Sequence, residues 1–389
     1  MARETADVVI LGAGVTGASF AFHLARRRAG RVVVLDKGEL AHGGSGRSSA
    51  LVRMHYSFPP EVQLARKSLE YFEHWPEIVG RPGDFRQTGF IRIVPEAERD
   101  RLEANVAMQR ALGVDARVVT PEELREIAPA WRFDDASAAA WEPGSGYGDG
   151  AGVAGDFLAR AREMGVVFRP RTAVSAIRVE EGRVRGVDAD GTSLDARVVV
   201  AATGPWTRPL LAAAGVSLPI EPEYHEVAIL RNPPALATIG PAGIDSPCAV
   251  YYRSEPGGRT LVGGFYGRRG ADPDDFPQAA SADGLESLAA AAARRIPALE
   301  DAALSRGITG IYDMSPDARP LLGELPQVRG LFVAAGFSGM GFKLSPAVGL
   351  VLSEQILDGR ATTVDITAFR PSRFAEGRPI KAPYEYADD

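Results

Sequence analysis

The segment Asp7–Lys37, DVVILGAGVTGASFAFHLARRRAGRVVVLDK, constrains the fold of this chain more than any other. Asp7–Leu11 is an apolar run long enough for one buried strand, and it turns at once into Gly12-x-Gly14-x-x-Gly17. Ser19–Arg28 carries helical periodicity with Phe20 and Leu24 on one face. Gly30 stops it, and Arg31–Leu35 is a second apolar run. Asp36 follows at about the 20-residue distance expected of a ribose-binding acid. In such a unit Gly12 permits the tight turn, Gly14 lets the backbone approach a pyrophosphate, and Gly17 lets the helix pack on the strand. Val15 and Thr16 open the helix, whose free N–H groups and positive dipole end suit phosphates. Asp36 accepts the ribose hydroxyls of an adenosine, and its charge repels a 2′-phosphate; Lys37 follows it. The ligand implied is an ADP-containing cofactor, FAD or NAD. No second strand–GxGxxG–helix is present for NAD(P)H, which argues against a two-nucleotide reductase.

A chain of 389 residues is long enough for two domains. Its net charge of −6 gives no general nucleic-acid footprint. Cys248 is the only cysteine, so an intrachain disulfide or a cysteine-held metal or Fe–S site is excluded, and no metal is expected. No apolar run approaches the roughly 20 residues that span a bilayer, and no secretory leader is evident, so a cytoplasmic location is expected. The lysines are Lys37, Lys67, Lys343 and Lys381 alone.

Along the chain, His42–Ala50 (HGGSGRSSA) is either an extension of the phosphate cradle, through its amides, its serines and Arg47, or a surface loop. Val62–Trp75 and Glu96–Leu112 read as helices, and Phe85–Val94 as a strand. Thr120-Pro121-Glu122-Glu123 reads as a capping box. The glycines of Gly144–Gly152 follow no apolar strand and read as a hinge, with a helix over Gly155–Gly165 after it. Val166–Val200 reads as a meander turning at Glu181-Gly182 and Asp190-Gly191. Later strands are expected over Gly307–Tyr312 and Leu331–Ala335, and a last helix from about Pro346 to Leu357.

With these segments in order, the chain resembles the D-amino acid oxidase, glycine oxidase and sarcosine oxidase family over nearly its whole length. VVILGAGVTGAS, GSGRSSALVRMHYS, VVVAATGPWT, GIYDMSPDARPLLG and GLFVAAGFSGMGFKLSPAVG carry the likeness, which is closest to the sarcosine oxidase group, β subunits included. The resemblance implies an α/β protein. A discontinuous Rossmann-type FAD-binding domain (1–85, 148–218 and 309–375) joins a substrate domain on a mainly antiparallel sheet with helices (86–147 and 219–308), with a tail at 376–389. It implies FAD, held by Gly12, Gly14, Val15, Thr16, Gly17, Asp36, Lys37, Ser45, Arg47, Ser48, Ser49, Val174, Thr203, Gly204, Trp206, Gly336, Ser338, Gly339, Met340, Gly341 and Lys343. It implies oxidation of the C–N bond of a small amino acid or N-methyl amino acid by hydride transfer to flavin N5. Electrons then pass to O2 or another acceptor. The alternative is a β-type subunit that holds FAD for partner subunits.

By the same resemblance, Arg53 and Lys343 hold the substrate carboxylate, and Tyr312 lies beside the flavin. A solvent salt bridge is the alternative for Arg53. A lysine inside a glycine-rich apolar loop is otherwise costly. Tyr251 and Tyr252 are lesser candidates, and His55 is either a pocket residue or a structural histidine. Two departures stand out. Gly310 occupies the place of the cysteine that tethers flavin in some relatives, so FAD is expected to be non-covalent. Met340 stands where many relatives have histidine. On the central strand of the substrate domain, Leu261 stands where oxidases of the group have an oxygen-activating lysine, which leans towards a dehydrogenase or a slow oxidase.

Overall fold

The computed structural model describes residues 3–135 and 138–386. Residues 387–389 of the expected tail, residues 136 and 137, and residues 1 and 2 lie outside them. The strand Arg3–Leu11 runs parallel to Val32–Leu35 on one side and to Thr192–Ala201 on the other. The sheet extends through Arg183–Ala189 to Val174–Glu180 at one edge and to Val167–Arg169 at the other. Leu331–Ala335 joins parallel to Thr192–Ala201, with Leu321–Glu324 antiparallel beside it. Apolar side chains alternate between two cores, as a sheet covered on both faces requires. Val8, Ile10 and Val34 face the helix residues Phe20 and Leu24, while Val9, Leu11 and Val33 face Leu211 and Ile220.

A second sheet takes Glu221–Arg231, Arg259–Gly264, Val250–Glu255, Ala242–Asp245, Phe90–Val94 and Ala138–Glu142 in that order. It is antiparallel except where Ala242–Asp245 meets Phe90–Val94. The strand Ala303–Met314 pairs with Glu221–Arg231 along its whole length, so the boundary expected at 308/309 falls inside one continuous strand. A small third sheet joins Leu51–Val52, Gly146–Tyr147 and Arg86–Gln87.

Several elements differ from expectation. The Phe85–Val94 strand is two strands, Arg86–Gln87 and Phe90–Val94, broken at Gly89, whose φ is +76. Gly144–Gly152 is not a hinge. Gly146 sits in the third sheet, where a Cβ would lie 2.0 Å from the Arg86 carbonyl oxygen, and Gly150 starts the helix Gly150–Glu163, capped by Asp149. Close packing, not freedom, accounts for glycine at both positions. The last helix begins earlier, at Gly341, and runs to Asp358 with Pro346 inside it. Pro346 has no N–H for the Phe342 carbonyl, and the Ser345 hydroxyl donates to that oxygen instead, at 2.8 Å. This helix crosses Val15–Arg26 so closely that a Cβ on Gly349 would lie 2.2 Å from Ser19 Oγ. The crossing brings the start of the last helix beside the first glycine loop. The Thr120 capping box is present as expected.

Candidate active site

A cavity of about 350 Å³ runs along the glycine loop and the ends of the first-sheet strands. Gly12, at φ +98, leaves no room for a side chain: a Cβ would sit 2.4 Å from the Ala202 carbonyl oxygen. Gly17 does not line the cavity. A Cβ there would lie 1.9 Å from the Gly12 carbonyl oxygen, so its task is the seating of the helix on the loop. Asp36 Oδ2 accepts the Ala13 N–H at 2.6 Å and Oδ1 accepts the Gly38 N–H at 2.8 Å, which fixes the carboxylate in the cavity wall. Ser45 Oγ accepts the Val15 N–H at 2.9 Å at the start of the helix.

Most expected cofactor residues line this space: Gly12, Gly14, Val15, Thr16, Asp36, Lys37, Ser45, Ser48, Val174, Thr203, Gly204, Trp206, Gly339 and Gly341. Lys37 pairs with Asp274 and its ammonium lies 4.3 Å from the Trp206 ring centre, so a clasp from the second sheet's loop closes over this end. Arg47 turns away: it donates to the Thr309 carbonyl at 3.2 Å and to Gln278, and lies over the Phe276 ring. Gly336 is also outside the wall, its N–H donated to Asp313 Oδ2 at 2.6 Å. Burial pushes the Asp313 carboxyl up to about 6. His42, not expected, does line the cavity. Its Nδ1 lies 3.6 Å from Asp36 Oδ1, which places it at the ribose end.

A second cavity, of about 180 Å³, shares Tyr312 and Gly339 with the first. Ser49, Arg53, His55, Tyr251, Ser338, Met340 and Lys343 line it as well. Thus four expected cofactor residues, Ser49, Ser338, Met340 and Lys343, face the smaller space. Gly339 (φ +87) brings the backbone against Tyr312, where a Cβ would lie 2.9 Å from the ring. Across the sheet, Gly263 pairs with Tyr251 and leaves room for its ring. Burial, then the neighbouring Tyr312, pushes the Tyr251 phenol well above its usual range, and burial raises Tyr312 too; both are neutral donors at neutral pH. Tyr252 points to the opposite face and donates to Asp245.

Lys343 is 7% exposed and stands in the first turn of the last helix, at the positive end of its dipole. Its Nζ donates to the Gly339 carbonyl at 3.2 Å. Burial, then the adjacent Arg53, pulls its ammonium well below the usual lysine range, with Glu61 opposing. Glu61 itself is engaged by Arg319 at 2.9 Å. Arg53 donates to the His55 carbonyl and lies 4.3 Å from the Tyr56 ring centre; its Nε is buried without a partner among the described residues. Neither cation pairs with a carboxylate among the described residues. An arginine and a lysine without a carboxylate partner, side by side in one small cavity, form a receptor for an anion, whose charge favours the protonated lysine.

Arg92, His225 and Tyr386 are among the residues of this cavity that sequence reasoning missed. Arg92 interrupts the apolar strand FIRIV, a signal that a buried charge was present. His225 alternates inward on its strand, its Nε2 3.0 Å from Glu223 Oε1 and its ring 4.2 Å from that of Tyr312. Tyr386 comes from the tail, where no pattern marks it.

Residues 7–355 match the family described as DAO, FAD dependent oxidoreductase. The chain is 30% identical to the glycine oxidase of Geobacillus kaustophilus (strain HTA426), over 94% of this chain and 97% of that one. It is also 30% identical to the sarcosine oxidase subunit beta of Arthrobacter sp, over 97% and 93%. The crystal structure of L-proline dehydrogenase from P. horikoshii superposes with a TM-score of 0.91 at 28% identity, covering 97% of this chain and all of that one. The glycine-loop cradle, the fixed Asp36 and the helix start fit the ADP portion of FAD. The chain belongs to the DAO family, and it is an FAD-dependent oxidoreductase. No helix of the described residues is long and apolar enough to cross a membrane.

Proposed function

We propose that the protein oxidises the C–N bond of a small amino acid or N-methyl amino acid, of the glycine, sarcosine or proline kind. The observation that carries this is the pair Arg53, half-buried, and Lys343, buried, which line one cavity with no carboxylate partner among the described residues. A substrate carboxylate supplies the missing anion and is held by the planar fork of Arg53 and the point charge of Lys343. Anchored there, the reacting carbon lies towards the Tyr312 and Gly339 end, where the two cavities meet. FAD, held in the larger cavity, supplies the hydride acceptor. Tyr251 and Tyr312 stay protonated and orient the amine as hydrogen-bond donors or acceptors. The imine product hydrolyses in solution.

The names of the relatives, glycine oxidase, sarcosine oxidase subunit beta and L-proline dehydrogenase, support this substrate class. A panel of amino and N-methyl amino acids, followed by bleaching of FAD without oxygen, tests it. Failure of every carboxylate-bearing amine to bleach the flavin rejects the proposal.

The likeness to a sarcosine oxidase subunit beta favours a second reading, in which the chain holds FAD for partner subunits. Turnover by the purified chain alone, with a dye as acceptor, separates the two.

A further inference from the structure

The last described residues, up to Tyr386, are tied to the body. The Ile380 N–H donates to Asp317 Oδ2 at 2.8 Å, and Asn105 Nδ2 donates to the Tyr384 carbonyl at 2.9 Å. Glu385 accepts the Ala382 N–H at 3.0 Å and lies 3.5 Å from Arg319 Nη2. These ties deliver Tyr386, 5% exposed, into the wall of the smaller cavity. Its hydroxyl is 2.8 Å from His55 Nε2, its ring stacks on that imidazole at 5.8 Å and 18°, and the Arg92 guanidinium lies 4.6 Å from its centre. Burial holds His55 below the usual histidine range, with Glu142 opposing, so the ring meets Tyr386 as a neutral imidazole.

We propose that Tyr386 is a specificity-determining wall of the substrate cavity, limiting the size of the group carried by the bound amino acid. The proposal rests on the carboxylate being anchored by Arg53 and Lys343. His55 links the two features, since its carbonyl accepts from Arg53 while its ring carries Tyr386. Tyr386 is one of the aromatic side chains that bound this cavity of about 180 Å³. Replacing it by a small side chain opens space beside the anchor, and each extra buried methylene of a ligand then strengthens binding about fourfold.

The test uses the FAD-loaded protein and straight-chain carboxylates, acetate, butyrate and hexanoate, read by perturbation of the flavin absorbance. Tyr386→Ala is expected to raise the affinity for hexanoate relative to acetate by on the order of tenfold or more over the parent. Tyr386→Phe keeps the ring and is expected to keep the parent's ratio, which separates a wall from a hydrogen-bonding role. Tyr386→Leu, an apolar and shorter wall, shifts the ratio in the same direction and serves if the alanine variant does not fold. An unchanged ratio in the shortened variants, with Arg53→Ala and Lys343→Met impaired in acetate binding, overturns the role of Tyr386 alone. If Arg53→Ala and Lys343→Met bind acetate as the parent does, the anchoring itself is rejected.

Discussion

Lys343 Nζ donates to the carbonyl of Gly339, 3.2 Å away, and in doing so points back over the start of its own helix into the smaller cavity. A cation in the first turn of a helix opposes the dipole. Here it is also buried and beside Arg53. An anion in the cavity relieves all three costs together. Arg53→Ala or Lys343→Met should therefore weaken substrate binding by about 1.5–3 kcal/mol, the range for a hydrogen bond to a charged group, with FAD still bound. Arg53→Lys should also be impaired, because an ammonium lacks the planar fork. Steady-state KM and flavin content report both. A substrate without a carboxylate, turned over equally by parent and variants, would sink the assignment.

Binding of a carboxylate should depend on pH through Lys343. Its folded value lies well below the ordinary lysine value of about 10.4, because burial and Arg53 disfavour the charged form. Below that depressed value the ammonium is present and acetate binds directly. Above it the lysine is neutral, and binding must take up a proton. The acetate dissociation constant should then rise about tenfold per pH unit. Titrations of the FAD-loaded protein across neutral to alkaline pH give the profile. Lys343→Met should lose that slope; a slope that persists in the variant belongs to another group.

Asp36 is held in the cavity wall by the Ala13 and Gly38 amides. Asp36→Ala removes a charged acceptor for the ribose and should weaken FAD by roughly 1–3 kcal/mol. Fluorescence titration of the apoprotein with FAD checks it. Equal affinity in the two proteins counts against Asp36 as the ribose ligand.

FAD should leave the protein completely on acid or heat denaturation. Gly310, which by the family resemblance holds the tethering position, lines neither cavity, while Cys248 lies in the turn after Ala242–Asp245, its N–H donated to Asp245. The histidine of the larger cavity, His42, lies at the Asp36 end. Yellow colour in the pellet would mean a covalent link.

Reoxidation of the reduced flavin by air-saturated buffer should be slow, near the rate of free flavin. Leu261 is buried among Leu51, Phe90 and Tyr251, and no cation of the strand Arg259–Gly264 lines the smaller cavity. Arg253, the neighbouring-strand arginine, is bound to the Ser49 and Ser254 carbonyls and to Glu255. A fixed cation near developing superoxide is what speeds that reaction. Stopped-flow reoxidation many orders faster than free flavin, keeping pace with turnover, would contradict the dehydrogenase reading.

The sequence by itself determined the nucleotide half of this protein. Strand, glycine loop, helix and acid are contiguous within Asp7–Lys37, so local geometry and local spacing suffice to place Gly12, Gly14 and Asp36 in one cavity wall. The meander from Val174 to Ala201 and the Thr120 cap were legible for the same reason, whereas Val167–Arg169, expected to open that meander, pairs parallel with Val32–Leu35 at the other edge of the sheet. Arg53 and Lys343 emerged through the family likeness of their flanking motifs, since nearly 300 residues separate them and no periodicity relates them. The tertiary structure alone decided which way long side chains turn and which distant strands meet. Arg47 sits in the expected loop yet reaches out to Thr309, because that strand packs behind the loop. Arg92 comes from the strand between Ala242–Asp245 and Ala138–Glu142, His225 from the long strand paired with Ala303–Met314, and Tyr386 from the tail, and only the folded sheet and the tail's ties to Asp317 and Asn105 bring them to one cavity. Convergence of that kind depends on packing between elements, and a linear pattern carries no trace of it.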